Sequence, residues 1–122
     1  MWKYRQSTGE LFDAADELAA TGYSGSPEGK NDPDKQSTPD VGPIPRGTYT
    51  IGEPFSSSLH GPFAMEMQPD PTNEMFGRSG FLMHGDSLEH PGCASEGCII
   101  MPRDVREQKV WNSGDHRLEV VE

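Results

Sequence analysis

Of the side chains able to do covalent or acid–base chemistry in this 122-residue chain, one histidine and one cysteine stand out by their settings. His84 closes the run Phe81-Leu82-Met83-His84 and is followed by Gly85 and Asp86. Cys98 opens the run Cys98-Ile99-Ile100-Met101 and is preceded by Ser95-Glu96-Gly97. A thiol near an imidazole is the minimum equipment of a cysteine nucleophile: the sulfur attacks a carbonyl, and the imidazole takes the thiol proton and later returns it. If the two apolar runs are neighbouring strands, both side chains reach the same edge of a sheet. Gly85 and Gly97 leave room for a substrate to approach the backbone. The amide N–H groups of Gly97 and Cys98 are placed to serve as an oxyanion hole. The competing reading makes Cys98 a small buried hydrophobe and His84 a structural histidine.

Strands must position such a pair, and the chain offers them. Trp2 and Tyr4 alternate with Lys3 and Arg5, which predicts an opening strand. Residues 11–20 predict a short strand running into a helical turn, and residues 21–40, almost without apolar side chains, a long surface loop. Gly42, Pro43 and Pro45 fix extended backbone before a turn at Arg46-Gly47, and residues 48–51 form a strand of β-branched and aromatic side chains. Residues 53–62 read as a loop, and residues 63–68 as a half-buried strand with Phe63, Met65 and Met67 inward. Strands at 81–83 and 98–101 follow, then a helix over 103–112 that starts after Pro102 and buries Val105, Val110 and Trp111. Residues 117–122 close the chain as a strand with Leu118 and Val120 on one face. No repeat and no alternating βαβ pattern is visible. The expectation is one domain over residues 1–122: a mainly β, antiparallel, small sandwich or barrel-like fold of five to seven strands with one or two short helices.

Composition narrows the function. A net charge of -10 lacks the basic footprint of a nucleic-acid binder and disfavours docking on an anionic membrane. No apolar run approaches the roughly 20 residues of a membrane helix. Residues 1–8 have no apolar stretch of the signal-peptide kind, so no cleavable leader is expected. Cys93, Cys98, His84 and His90 could nominally ligate zinc, but their spacings match no common finger, and neither metal nor cofactor is expected. A Cys93–Cys98 disulfide would silence the nucleophile until reduced. His90 is a weaker alternative base on a Pro-Gly loop, and His60 and His116 read as surface residues.

The order His84-Gly85, a loop, then Ser95-Glu96-Gly97-Cys98 and apolar residues resembles the catalytic motif of YkuD-type L,D-transpeptidases. More closely, Gly-Pro-Ile-Pro-Arg-Gly-Thr-Tyr-Thr-Ile at 42–51, Phe-Leu-Met-His-Gly-Asp at 81–86 and Ser-Glu-Gly-Cys-Ile-Ile at 95–100 resemble the Tlde1 branch. These are bacterial effectors delivered by type VI secretion that act on peptidoglycan in the periplasm of rival cells. The resemblance runs from Trp2 through the helix after Cys98. It implies a YkuD-type catalytic domain with Cys98 as nucleophile, His84 as base, the Gly85 carbonyl orienting His84, and Ser95 and Gly97 shaping the nucleophile loop. The wider family carries histidine where this chain has Glu96 and a polar residue where it has Ile100; both departures fit the effector branch.

The implied reaction is acyl transfer from the tetrapeptide stems of peptidoglycan. Cys98 attacks between meso-diaminopimelate and D-alanine, D-alanine leaves, and the thioester passes to water (L,D-carboxypeptidase) or to an amine (L,D-transpeptidase exchange). Asp86, Glu89 and Glu96 are candidates to meet a substrate ammonium, and Arg103 or Arg106 a stem carboxylate. The resemblance further implies synthesis in the cytoplasm, action in a target cell's periplasm, a secretion-apparatus component and an immunity protein as partners, and no membrane insertion. The alternative is a non-catalytic wall-binding or structural module of a phage or secretion apparatus. An NlpC/P60-type amidase is disfavoured because that family places cysteine before histidine. An activated Cys98 is expected to alkylate below the ordinary thiol pKa of about 8.5.

Overall fold

The computed structural model describes all residues, Met1–Glu122. It contains ten strands: β1 Trp2–Arg5, β2 Glu10–Phe12, β3 Leu18–Thr21, β4 Tyr23–Ser24, β5 Gly47–Ile51, β6 Phe55–Ser57, β7 Gly61–Pro69, β8 Leu82–His84, β9 Ile99–Ile100 and β10 Arg117–Val121. They form one mixed sheet in the order β3-β2-β1-β10-β5-β7-β8-β9-β4, with β6 hairpinned onto β7. The mainly β expectation holds. Most pairings are antiparallel, but β1 runs parallel to β10 and β8 parallel to β9. The two ends of the sheet order, β3 and β4, are separated in sequence only by Gly22, so the sheet must curl until its ends meet, which gives it its barrel-like character. Gly22 lies so close to the Ile100 carbonyl of β9 that a Cβ would collide with it.

Alternation along the strands fills the interior. Tyr4, Leu11, Tyr49, Met65, Met83 and Leu118 are fully buried members of one apolar cluster. Met67, Val105, Val110 and Val120 join it as the pattern predicts, and Trp111 packs against it.

The shorter elements depart from expectation for local polar reasons. Residues 13–17 form a hairpin turn between β2 and β3 instead of a helical turn. Asp13 Oδ1 accepts the N–H groups of Ala15 (2.9 Å) and Glu17 (3.0 Å), side-chain capping that competes with helix formation. The polar stretch 21–40 holds β4 and a 3-10 turn, Pro33–Lys35, capped by Asp32. The 53–62 segment holds β6. The expected helix is present over residues 103–113 but is wound mostly as a π-helix, Val105–Val110, and ends at Gly114 in the left-handed conformation. No helix is long and apolar enough to cross a membrane.

Phe63 is half-buried, not a core residue, because β7 bulges there: its φ is +55° and the β6–β7 register shifts. A phenylalanine in that conformation is strained and needs support from its surroundings. Arg106 supplies it. Its NH1 donates to the carbonyls of Phe63 (2.7 Å) and Pro62 (3.1 Å), while Nε donates to Met101 O (3.0 Å). Arg106 is 4% exposed. It braces the bulge against the end of β9, and this use leaves it poorly placed for the substrate carboxylate that the sequence suggested for it. Arg106→Met should therefore lower stability by about 2–3 kcal/mol through the orphaned carbonyls, read as a fall in the denaturation midpoint.

Candidate active site

The strand pairing decides how His84 and Cys98 meet. β8 and β9 are adjacent and parallel, with Met83 opposite Ile99 and His84 opposite Ile100. Met83 and Ile99 point into the core with no exposure. By alternation, His84 and Cys98 share the other face as diagonal neighbours. Two residues along a strand span about 6.6 Å, a gap an imidazole and a thiol can bridge from either side.

His84 is 1% exposed. Its Nδ1 lies 2.8 Å from the Gly85 carbonyl. A carbonyl only accepts, so Nδ1 carries the proton and Nε2 is the basic atom. Nε2 is buried and has no hydrogen-bond partner. Burial, reinforced by the nearby His60 and Arg106 and opposed by the Gly85 bond, pulls the His84 pKa down to about 4. The imidazole is therefore neutral near pH 7 and able to accept a proton.

Cys98 sits at the mouth of β9, half-buried, with Sγ accepting the Leu82 N–H at 3.3 Å. Burial pushes its thiol pKa up and the Glu96 charge adds to this, while the Leu82 N–H and the Arg78 charge act the other way. Both directions favour a neutral thiol and a neutral imidazole at rest.

The nucleophile loop is held by buried hydroxyls from both sides. Ser95 Oγ donates to Cys98 O (2.6 Å) and accepts from Gly97 N (3.0 Å) and Gly25 N (2.9 Å). Ser24 Oγ, from β4, donates to Gly97 O (2.8 Å) and accepts from Ile44 N (2.9 Å). The Gly97 N–H is therefore occupied by Ser95, and the oxyanion role suggested for it falls away. Gly97 adopts φ +142°, and a Cβ there would sit 2.6 Å from Arg78 NH2 and 2.7 Å from the Phe81 ring.

Arg78 is 8% exposed and has no carboxylate within ion-pair distance. NH1 donates to Gln36 O (2.7 Å) and Pro43 O (2.8 Å), and NH2 to Gly42 O (3.0 Å) and Glu96 O (3.1 Å).

Cys98 opens onto a cleft of about 660 Å³ whose walls include Arg78, Phe81, Glu96, Cys93 and His60. That volume suits a short peptide or other small ligand. Glu96 is exposed at its rim. Cys93 is exposed and, like Cys98, a free thiol. Asp86 organises the loop beside the cleft: it accepts the Tyr23 O–H (2.6 Å) and the N–H groups of Ser87 (2.8 Å) and Gly92 (3.1 Å). Burial works against its ionisation, but these donors outweigh it and hold its pKa down. Tyr23 in turn accepts the Ala94 N–H at 2.9 Å. His90 and Glu89 are exposed on that loop. Arg103 is spent on Glu107 (2.9 Å) and lies 5.2 Å over the Phe63 ring. His116 stacks on Trp111 at 3.9 Å, away from the cleft. No group of three or more His, Cys, Asp or Glu side chains could hold a metal ion.

His60, expected at the surface, is half-buried. It stacks on His84 with ring centroids 4.2 Å apart and lines the Cys98 cleft. Arg78 was not read at all. Its only local sign is a lone cation in the Gly77-Arg78-Ser79-Gly80 turn before β8.

These features define a small β domain carrying a cysteine and a histidine on one face of neighbouring strands at a cleft. The chain belongs to the Tlde1 domain family, whose model matches residues 19–122. The match starts within β3, although β1 and β2 outside it are integral to the sheet. Membership supports an effector-like role of the type VI secretion kind. Neither the search of curated proteins nor that of solved structures found a match.

Two outcomes follow from the neutral pair. With iodoacetamide, exposed Cys93 should be labelled first, and Cys98 should react only as pH rises beyond the ordinary thiol range; labelling of Cys98 at pH 6–7 would contradict this. The unfolded chain protonates His84 near pH 6.5, the native protein only near 4, so acidification across that window favours unfolding. The melting temperature should fall over that interval, and by less in His84→Gln.

Proposed function

We propose that the chain is a cysteine acyl transferase of peptidoglycan, acting on tetrapeptide stems as an L,D-carboxypeptidase, an L,D-transpeptidase in amine exchange, or both. The observation that carries the reading is the arrangement of the pair. Cys98 Sγ opens onto the cleft from one strand, and an imidazole on the adjacent strand has Nδ1 committed to a carbonyl and Nε2 unpartnered. The peptidoglycan substrate rests on the family.

The neutral resting pair sets the order of events. As Sγ closes on the carbonyl between diaminopimelate and D-alanine, its proton passes to His84 Nε2, so charge develops only during attack. The burial that pushes the thiol pKa up also makes the nascent imidazolium costly, which favours its prompt discharge to the departing D-alanine amine. The Leu82 N–H, already on Sγ, stabilises the sulfur as it becomes anionic. Ser24 and Ser95 hold the backbone on either side of Cys98 so that attack needs no loop rearrangement. An antibacterial role, with secretion from the producing cell and an immunity protein that occupies the cleft, accords with the effector family.

The test is mass spectrometry of tetrapeptide muropeptides incubated with the protein, with and without an added D-amino acid. Loss of one D-alanine marks hydrolysis, and its replacement marks exchange. Cys98→Ala and His84→Ala should each reduce product by about three orders of magnitude or more without unfolding the protein. Undiminished activity of Cys98→Ala would end the proposal.

A further inference from the structure

The cleft beside Cys98 has a buried cation in its wall and no anion paired with it. Arg78 is 8% exposed, and no carboxylate lies within ion-pair distance. The four carbonyls it holds surround the charge with dipoles but do not neutralise it. Those bonds take up the N–H groups of both terminal nitrogens. The fifth N–H, on Nε, has no partner within the protein and is not sealed from solvent. Arg78 lines the cleft together with Ser79 and Gly80, whose backbone N–H groups are likewise unpaired within the protein. The other charged side chains of the cleft, Asp40 and Glu96, are exposed. Water reaches those two carboxylates, whereas the guanidinium is withdrawn from water and keeps its full charge.

We propose that Arg78 receives the free α-carboxylate of the residue that Cys98 releases, and so makes the enzyme specific for the C-terminal end of a stem peptide. The inference rests on the acyl-transfer reading above. Its basis is the nearness of the cation to the nucleophile. A Cβ on Gly97, the residue before Cys98, would sit 2.6 Å from Arg78 NH2. The guanidinium charge also reaches the sulfur, where it works to lower the thiol pKa. In the substrate, the α-carboxylate of the leaving residue is three bonds from the acyl carbon, through nitrogen and Cα. The second carboxylate of diaminopimelate stands at the far end of its side chain. The leaving residue therefore carries the carboxylate that a cation beside the thiol meets.

Arg103 and Arg106, expected from the sequence to meet such a group, are engaged with Glu107 and with the Phe63 bulge. Arg78 is the only arginine or lysine that lines the cleft. An amidated or extended stem end would place a neutral group against this charge and leave the guanidinium uncompensated. The same seat suits the carboxylate of an incoming amino acid, so amino acids should resolve the thioester better than plain amines of similar basicity.

The experiment has two arms, both on the intact wild-type protein. In the first, the thiols are alkylated with iodoacetate and with iodoacetamide above the ordinary thiol range, and each cysteine is read by peptide mass spectrometry. The reagents differ in carrying a carboxylate or an amide. Cys93, exposed on the same cleft, and free N-acetylcysteine are the references. The iodoacetate-to-iodoacetamide rate ratio at Cys98 should exceed that of the references about tenfold. Arg78→Lys should keep part of this preference and Arg78→Gln should lose it. A wild-type ratio at Cys98 no higher than the references overturns the proposal, so a variant that fails to fold does not hide the answer. In the second arm, tetrapeptide muropeptides ending in D-alanine and in D-alaninamide are compared. The amide should be turned over about 100-fold more slowly in kcat/KM. Equal turnover overturns the assignment to the leaving residue while leaving acyl transfer intact. If neither peptide gives release or an adduct on Cys98, the acyl-transfer reading fails and takes that assignment with it.

Discussion

A buried cation without a counter-ion holds the cleft face together. The Arg78 guanidinium spends four N–H bonds on carbonyls of Gln36, Gly42, Pro43 and Glu96, two segments that lie on either side of it in the sequence. A planar fork of donors can satisfy several backbone acceptors at once, which lysine cannot match. The clasp also explains Gly97, which lies against both the guanidinium and the Phe81 ring. The strap it fastens is pinned further by Gln6 Nε2 on Ile44 O (2.9 Å) and by Tyr49 Oη on Pro45 O (2.6 Å). The Gly-Pro-Ile-Pro-Arg-Gly segment therefore serves as the fixed backing of the nucleophile loop, although it contributes no reacting group. Arg106 does at the Phe63 bulge what Arg78 does at the nucleophile loop: each satisfies backbone carbonyls without touching a carboxylate.

Burial sets the chemistry as much as it sets the fold. A thiol whose ionisation is disfavoured and an imidazole whose protonation is disfavoured wait as neutral partners. On the acyl-transfer reading, such a pair couples attack with proton transfer in a bound substrate. The exposed Cys93 on the same cleft is the more accessible thiol, yet no strand-borne imidazole accompanies it.

Much of this was legible in the sequence because the strands obey their period. The Met65–Met67 alternation, the Phe81–His84 and Cys98–Met101 runs and the pair Leu118 and Val120 all sit where their spacing put them. His84, Cys98, Ser95 and the Gly85 carbonyl could be named because each sits beside a glycine or within a recognisable motif. What escaped was long-range. Nothing near His60 says that its ring stacks on the histidine of β8, and nothing near Arg78 says that three of its four partners lie at Gln36, Gly42 and Pro43. β4 is two residues long and recognisable only through its pairing with β9. Asp13 looked compatible with a helix until its side chain was seen capping a turn.

The parallel pairing of β1 with β10 bears on how the molecule comes into being. Trp2 finds its partner in Leu118 and Arg5 in Val121, and β10 also supplies the other neighbour of β5. β1 can pair with β2 as soon as both exist, but its other edge stays open until β10 is in place. Contacts of such sequence separation are formed late and slowly. The sheet around β5 is therefore completed only once residues 117–121 have joined both β1 and β5, however early the local hairpins form.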